Sequence, residues 1–174
     1  MAIPDELESM LHVLIYHAVR YLRSDIPDND EVARWLEATY DAYFVHGKEI
    51  LCGERKGLIV AKLGRLVRWQ PRLSDYVSVV FKSPLDTLIY EILQSFKAHY
   101  EVRNAAGLGV QAAETGVQGL ADLVKTHAWM RSLFEIAADD NAWDPLDKVG
   151  DRVPEGWKGN LPTIPTALPQ PPPA

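Results

Sequence analysis

SPLDTLIYEILQSFKAHYEVRNAAG, residues 83–107, is the stretch whose reading decides the fold. Its apolar residues Leu85, Leu88, Ile89, Ile92, Phe96 and Tyr100 recur every three or four positions, the period of one face of an α-helix. Ser83 is placed to cap the first turn, and Pro84 takes a position where its missing N–H costs nothing. Asp86 complements the positive end of the helix dipole, and Gly107 is well placed to end the helix. A helix of about six turns with one long apolar face needs other helices to cover it, so this one is expected at the centre of a helical core.

Residues 4–25, PDELESMLHVLIYHAVRYLRSD, place Leu7, Met10, Leu11, Leu14, Ile15, Ala18 and Leu22 at the same spacing, with acidic residues early and Arg20 and Arg23 late. The DIPDND turn then offers Asp28 or Asn29 as a cap. A second helix is expected over 31–53, with Val32, Trp35, Leu36, Thr39, Tyr43 and Ile50 along one side and Gly47 kinking or ending it. A third is expected over 54–69, weakened by Gly57 and Gly64 and stopped by Pro71. The run YVSVVF, residues 76–81, alternates like a strand but lacks an evident partner, so it is read as a helical turn or linker and no substantial sheet is expected. A last helix over about 112–138 offers Leu120, Leu123, Val124, Met130, Leu133, Phe134 and Ile136 for packing. The prediction is an all-α fold, a single helical bundle of about five helices over residues 4–140. Residues 141–174 lose all period and form an extended, Pro-rich C-terminal arm that carries six of the twelve prolines after Asn160.

The 47% hydrophobic and 24% charged residues are those of a globular protein, and no apolar run approaches the ~20 residues of a membrane span. The acidic start MAIPDELESM has neither half of a secretory signal, so a cytoplasmic site of synthesis and no membrane partner are expected. A lone Cys52 excludes an internal disulfide and a Cys-rich zinc cage. The net charge of −6 argues against wholesale wrapping of nucleic acid. That charge is unevenly spread: Asp25–Asp41 holds six acidic residues against one Arg34, and Glu54–Arg72 holds six basic residues against one acidic.

Catalytic motifs are sparse. His17, His99 and His127 lie on or beside apolar helix faces and are the residues from which a bundle enzyme, or a ligand or metal site, would be built. Neither His99 nor His127 has a Glu three residues ahead, so the di-iron bundle pattern fails. HYEVRNAAGLG resembles half of the Arg-polar-four-residues-His signature of HEPN-type ribonucleases through Arg103 and Asn104. Gly109 stands at the histidine position, so the proton-transfer group of that chemistry is missing. No nucleophile elbow or phosphate-binding glycine pattern is present, and no cofactor is expected.

Arg55, Lys62, Arg65 and Arg72, with Arg68 beside them, give the expected third helix a basic side opposite Ile59, Leu63 and Leu66. Such a side can meet phosphates or an acidic protein face, and the acidic Asp25–Asp41 segment suggests head-to-tail pairing of copies into a ring. The arm has too little apolar surface for a core of its own, so it is expected to be ordered by a neighbour, with Trp143, Trp157, Ile164 and Leu168 as anchors. The expected function is therefore a non-enzymatic adaptor subunit of a larger assembly. In outline it resembles the head–tail connector or adaptor proteins of tailed phages, small helical bundles that form rings and reach out with extended segments, a resemblance that implies a virion location. The other readings are a helical-bundle enzyme or ligand- or metal-binding protein using His17, His99 and His127, and a small nucleic-acid-binding regulator using residues 55–72.

Overall fold

The computed structural model describes residues 2–46, 49–70, 75–109 and 115–157, and over these the chain forms six α-helices and two antiparallel hairpins. The helices are α1 (Ile3–Tyr21), α2 (Asn29–Leu36), α3 (Glu54–Gly57), α4 (Leu85–Gly107), α5 (Thr115–Leu123) and α6 (His127–Ala138). The strands are β1 (Tyr43–His46), β2 (Glu49–Cys52), β3 (Val67–Gln70) and β4 (Asp75–Ser78).

The predicted apolar face of α4 is the centre of the core, with Ile92, Leu93 and Phe96 fully buried. It packs against α1, α5, α6 and the π-helical stretch Leu58–Leu63 that continues α3. Leu7, Leu11 and Ile15 of α1 and Val32 and Trp35 of α2 close the core from the other side. Trp35 satisfies its buried indole by donating from Nε1 to the Val67 carbonyl at 2.8 Å. Asp28 caps α2 by accepting the Glu31 N–H at 2.7 Å. At α4 it is Pro84, with no side-chain cap, that occupies the N-cap position predicted for Ser83. Asp86 instead reaches back to accept the Phe81 N–H at 2.9 Å.

Three expectations are corrected. The long second helix ends at Leu36: a π-helical turn, Glu37–Asp41, leads into β1 and β2, paired from Tyr43↔Cys52 to His46↔Glu49. The aromatic and β-branched residues of YFVH and EILC suit a pleated backbone, and only two residues separate the runs. The third helix ends at Gly64, whose φ of 62° places it in the left-handed region. The chain then turns into β3, which pairs with β4 from Val67↔Ser78 to Gln70↔Asp75. The partner that YVSVVF lacked in the sequence lies in the supposed helix 54–69, so the first residues of that run are strand, and the described residues hold two small two-stranded hairpins and no larger sheet. The last helix is broken at Val124–Thr126, where Lys125 and Thr126 N–H groups bond to Asp122 and Leu123 carbonyls and close α5. Val124, at the break, is fully buried and pins the corner.

Residues 141–157 contain no helix or strand yet are held to the helical body. Trp143 donates its indole N–H to the Ala137 carbonyl. Lys148 bridges Leu22 in antiparallel fashion, and the Val149 and Arg152 N–H groups bond to the Tyr21 and Arg20 carbonyls at 2.9 and 3.1 Å. This segment therefore runs beside the end of α1 as an added edge. The anchors Ile164 and Leu168, and Arg72, lie outside the described residues.

Candidate docking surfaces

The helix α1 presents three sides. One is the core side. A second carries Glu8, His12, Tyr16 and Arg20 at intervals of four, so these side chains stack in one row. Tyr100 of α4 donates to Glu8 Oε2 at 2.6 Å, and His12 Nε2 stands 3.5 Å from Glu8 Oε1. Burial pushes the Glu8 carboxyl up, but the neighbouring His12 imidazole and the hydrogen bond from Tyr100 outweigh it and hold the group below its ordinary range. Burial, with the Glu8 carboxylate next, pushes the Tyr100 phenol up to about 12. Tyr16 packs edge-to-face on Tyr40, and Arg20 donates to the Tyr16 hydroxyl at 2.7 Å. Burial also raises the Tyr40 phenol, whose OH donates to the His12 carbonyl at 3.1 Å. This row braces α1 against α4 and the turn after α2.

The third side of α1 is turned outward and carries Ile3, Met10 and Val13, exposed by 38, 52 and 58%. Their spacing of seven and three residues is that of a seam along which a second helix packs. Exposed apolar groups also stand on α6 and just beyond it, at Ile136, Trp143 and Leu146.

The C-terminal segment is fastened by charge. Arg20 grips Asp151 with two bonds, Nε to Oδ1 at 2.8 Å and an NH2 contact to Oδ2 at 2.5 Å. The Arg20 guanidinium, with the Val153 N–H, holds the Asp151 carboxyl below its ordinary range. Lys82 does the same for Asp144 at 2.6 Å, helped by the Leu146 N–H. Arg152 spends its N–H groups on Ser24 Oγ, the Ile26 carbonyl and Asn29 Oδ1, tying the segment to the start of α2. An open depression of about 410 Å³ lies between these parts, lined by Arg23, Asn29 and Arg152 among others. It is the cleft between the C-terminal segment and the start of α2.

The predicted basic side does not form one face. Arg55 lies on α3, Lys62 on the π-helical stretch, Arg65 after Gly64 and Arg68 on β3. Arg68 donates to Glu31 at 2.7 Å and to Gln70 at 2.8 Å. The acidic and basic segments thus meet through this pair inside one chain. Lys62 and Arg65 remain exposed. Trp143 is partly spent on Ala137, and Trp157 is half-buried with its indole N–H lacking a partner among the described residues. The candidate histidines have separate surroundings. His17 stacks on Tyr21, His99 packs against Tyr100, and His127 contacts Glu6 at 3.2 Å. Among the described residues, no group of three or more His, Cys, Asp or Glu side chains is placed to hold a metal, and no helix is long and apolar enough to cross a membrane. Sequence reasoning missed the Glu8–His12–Tyr16–Arg20 row, although its four-residue spacing was there to be read.

Comparison of the chain with protein-family models, with curated proteins and with solved structures finds no match.

Proposed function

We propose that this chain is a non-enzymatic subunit of a larger protein assembly, docking through the outward side of α1 and through its Pro-rich C-terminal segment. The observation that carries the reading is the seam of Ile3, Met10 and Val13, which is exposed on a helix already packed on its other sides. These side chains are about half exposed, so covering each is worth about 1 kcal/mol, and a second copy laid along α1 gains about 3 kcal/mol from this contact. The net charge of −6 keeps copies apart until that seam is matched. The concrete case is a ring-forming head–tail connector of a tailed phage, a likeness in architectural outline.

Sedimentation velocity over a concentration series tests the reading. The expected result is species heavier than the 19.5 kDa chain that grow with concentration. They should be lost in a Met10→Glu, Val13→Glu double variant whose helical circular dichroism is unchanged. A wild-type chain that stays monomeric at every concentration overturns it. Closed rings in electron micrographs would select the connector case.

A further inference from the structure

The hairpin β3–β4 carries an aromatic pair that the fold does not use up. Trp69 and Tyr76 are direct cross-strand partners, with ring centroids 5.3 Å apart and an interplanar angle of 69°. The face they share begins in the core at Val67, which is 3% exposed, and ends in solvent at Trp69, which is 42% exposed. Tyr76 packs on the core, so the pair stands on a fixed base. On the opposite face Arg68 is tied to Glu31 and Gln70, and the Val67 carbonyl is held by Trp35. The hairpin is therefore a braced platform with one apolar, aromatic end. The indole N–H of Trp69 has no acceptor among the described residues.

Beyond Trp157 the chain continues for 17 residues, and from Gly159 to Ala174 it contains no charged side chain. Prolines recur at a spacing of three, Pro162 with Pro165 and Pro169 with Pro172. A polyproline II helix has three residues per turn, so each such pair lines up on one edge, and its backbone carbonyls are left free to accept. Aromatic-lined surfaces with a donor at the rim recognise this shape. Beside Ile164 and Leu168, such an uncharged segment offers a partner proline ring faces and backbone carbonyls, and the Trp69–Tyr76 pair offers their complement.

We propose that the Trp69–Tyr76 face of the β3–β4 hairpin receives the Pro-rich segment 162–173 of a second copy of this chain. The proposal rests on the assembly reading and names the acceptor of its arm. Reach permits it: 17 residues of polyproline II cover about 50 Å, against about 40 Å for the diameter of a folded body of this size.

The test uses the full chain in a mixture of isotope-labelled and unlabelled copies. Nuclear Overhauser contacts between the proline rings of 162–173 and the rings of Trp69 and Tyr76 should appear between copies. They should vanish in Trp69→Ala and in a Pro165→Gly, Pro169→Gly variant. The concentration at half-assembly should rise about tenfold in either variant, the loss of one aromatic anchor. Contacts within one copy only, or an assembly unaffected by both variants, overturn this inference and leave the assembly reading standing. A chain that is monomeric at every concentration takes down both.

Discussion

Gly64 and Tyr100 show how much rests on single atoms. Gly64 has φ of 62°, and a Cβ there would come within 2.8 Å of Gln94 Nε2 and 2.9 Å of Lys97 Cδ, while Gln94 donates to the Gly64 carbonyl at 2.7 Å. Gly64→Ala combines left-handed strain with a clash against α4 and should cost about 1–3 kcal/mol. Gly57 has an ordinary helical φ of −60° and open space where a Cβ would point, so Gly57→Ala should stabilise by about 0.5–1 kcal/mol. Urea denaturation midpoints of the two variants should move in opposite directions. Tyr100→Phe removes the bond to Glu8 and should cost about 1–2 kcal/mol near neutral pH, the range for a half-exposed bond to a charged acceptor. Glu8 has its folded value depressed, so the stability it contributes is full above its ordinary value of 4.5 and disappears as pH falls through the lower folded value. The gap between wild type and Tyr100→Phe should therefore close in acid, as denaturation at a series of pH values would show.

At the scale of elements, the C-terminal segment is secured by a few directed bonds and little apolar burial. Arg20→Ala should release it: the Val149 and Arg152 amides, now bonded to the Tyr21 and Arg20 carbonyls, should exchange with deuterium several-fold faster while amides of α4 keep their rates. Asp144 and Asp151 are both held below the ordinary carboxylate range, first by Lys82 and Arg20 respectively. Their contribution is present above about pH 4 and lost as pH falls through the lower folded values, so proteolysis between 141 and 157 should rise in acid before the helices unfold. Elements differed in how far they could be read beforehand. α1 and α4 were legible because a long period of 3.6 admits one reading. YFVH, EILC and VRWQ were not, because a four-residue apolar run satisfies helix and strand templates alike and only its partner decides. The split between α5 and α6 had no glycine or proline at 124–126 to announce it; burial of Val124 sets the corner.

For the whole molecule, the prediction that matters most is association through α1. Met10→Glu with Val13→Glu places two charges in the proposed seam and should abolish the concentration-dependent species without changing the fold, since both side chains point to solvent. Trp69→Ala should act on the same equilibrium from a separate surface, and sedimentation of the two sets of variants would tell the contacts apart. The candidate residues were legible as a set of exposed types but not as a surface: Arg55, Lys62, Arg65 and Arg68 share a helix only if residues 54–69 are one, and Gly64 breaks that premise. By itself the sequence determined that α1 and α4 are helices, that α4 lies at the centre, and that a cap at Asp28 or Asn29 starts α2. These follow from local periodicity and capping, which need no knowledge of distant residues. Only the tertiary structure decided that Val67–Gln70 finds Asp75–Ser78, that Arg68 spends its charge on Glu31, and that residues 147–152 fasten to the end of α1. Each of those depends on which groups meet across dozens of residues, and such meetings are set by the shape of the packed core, which no short stretch of chain contains.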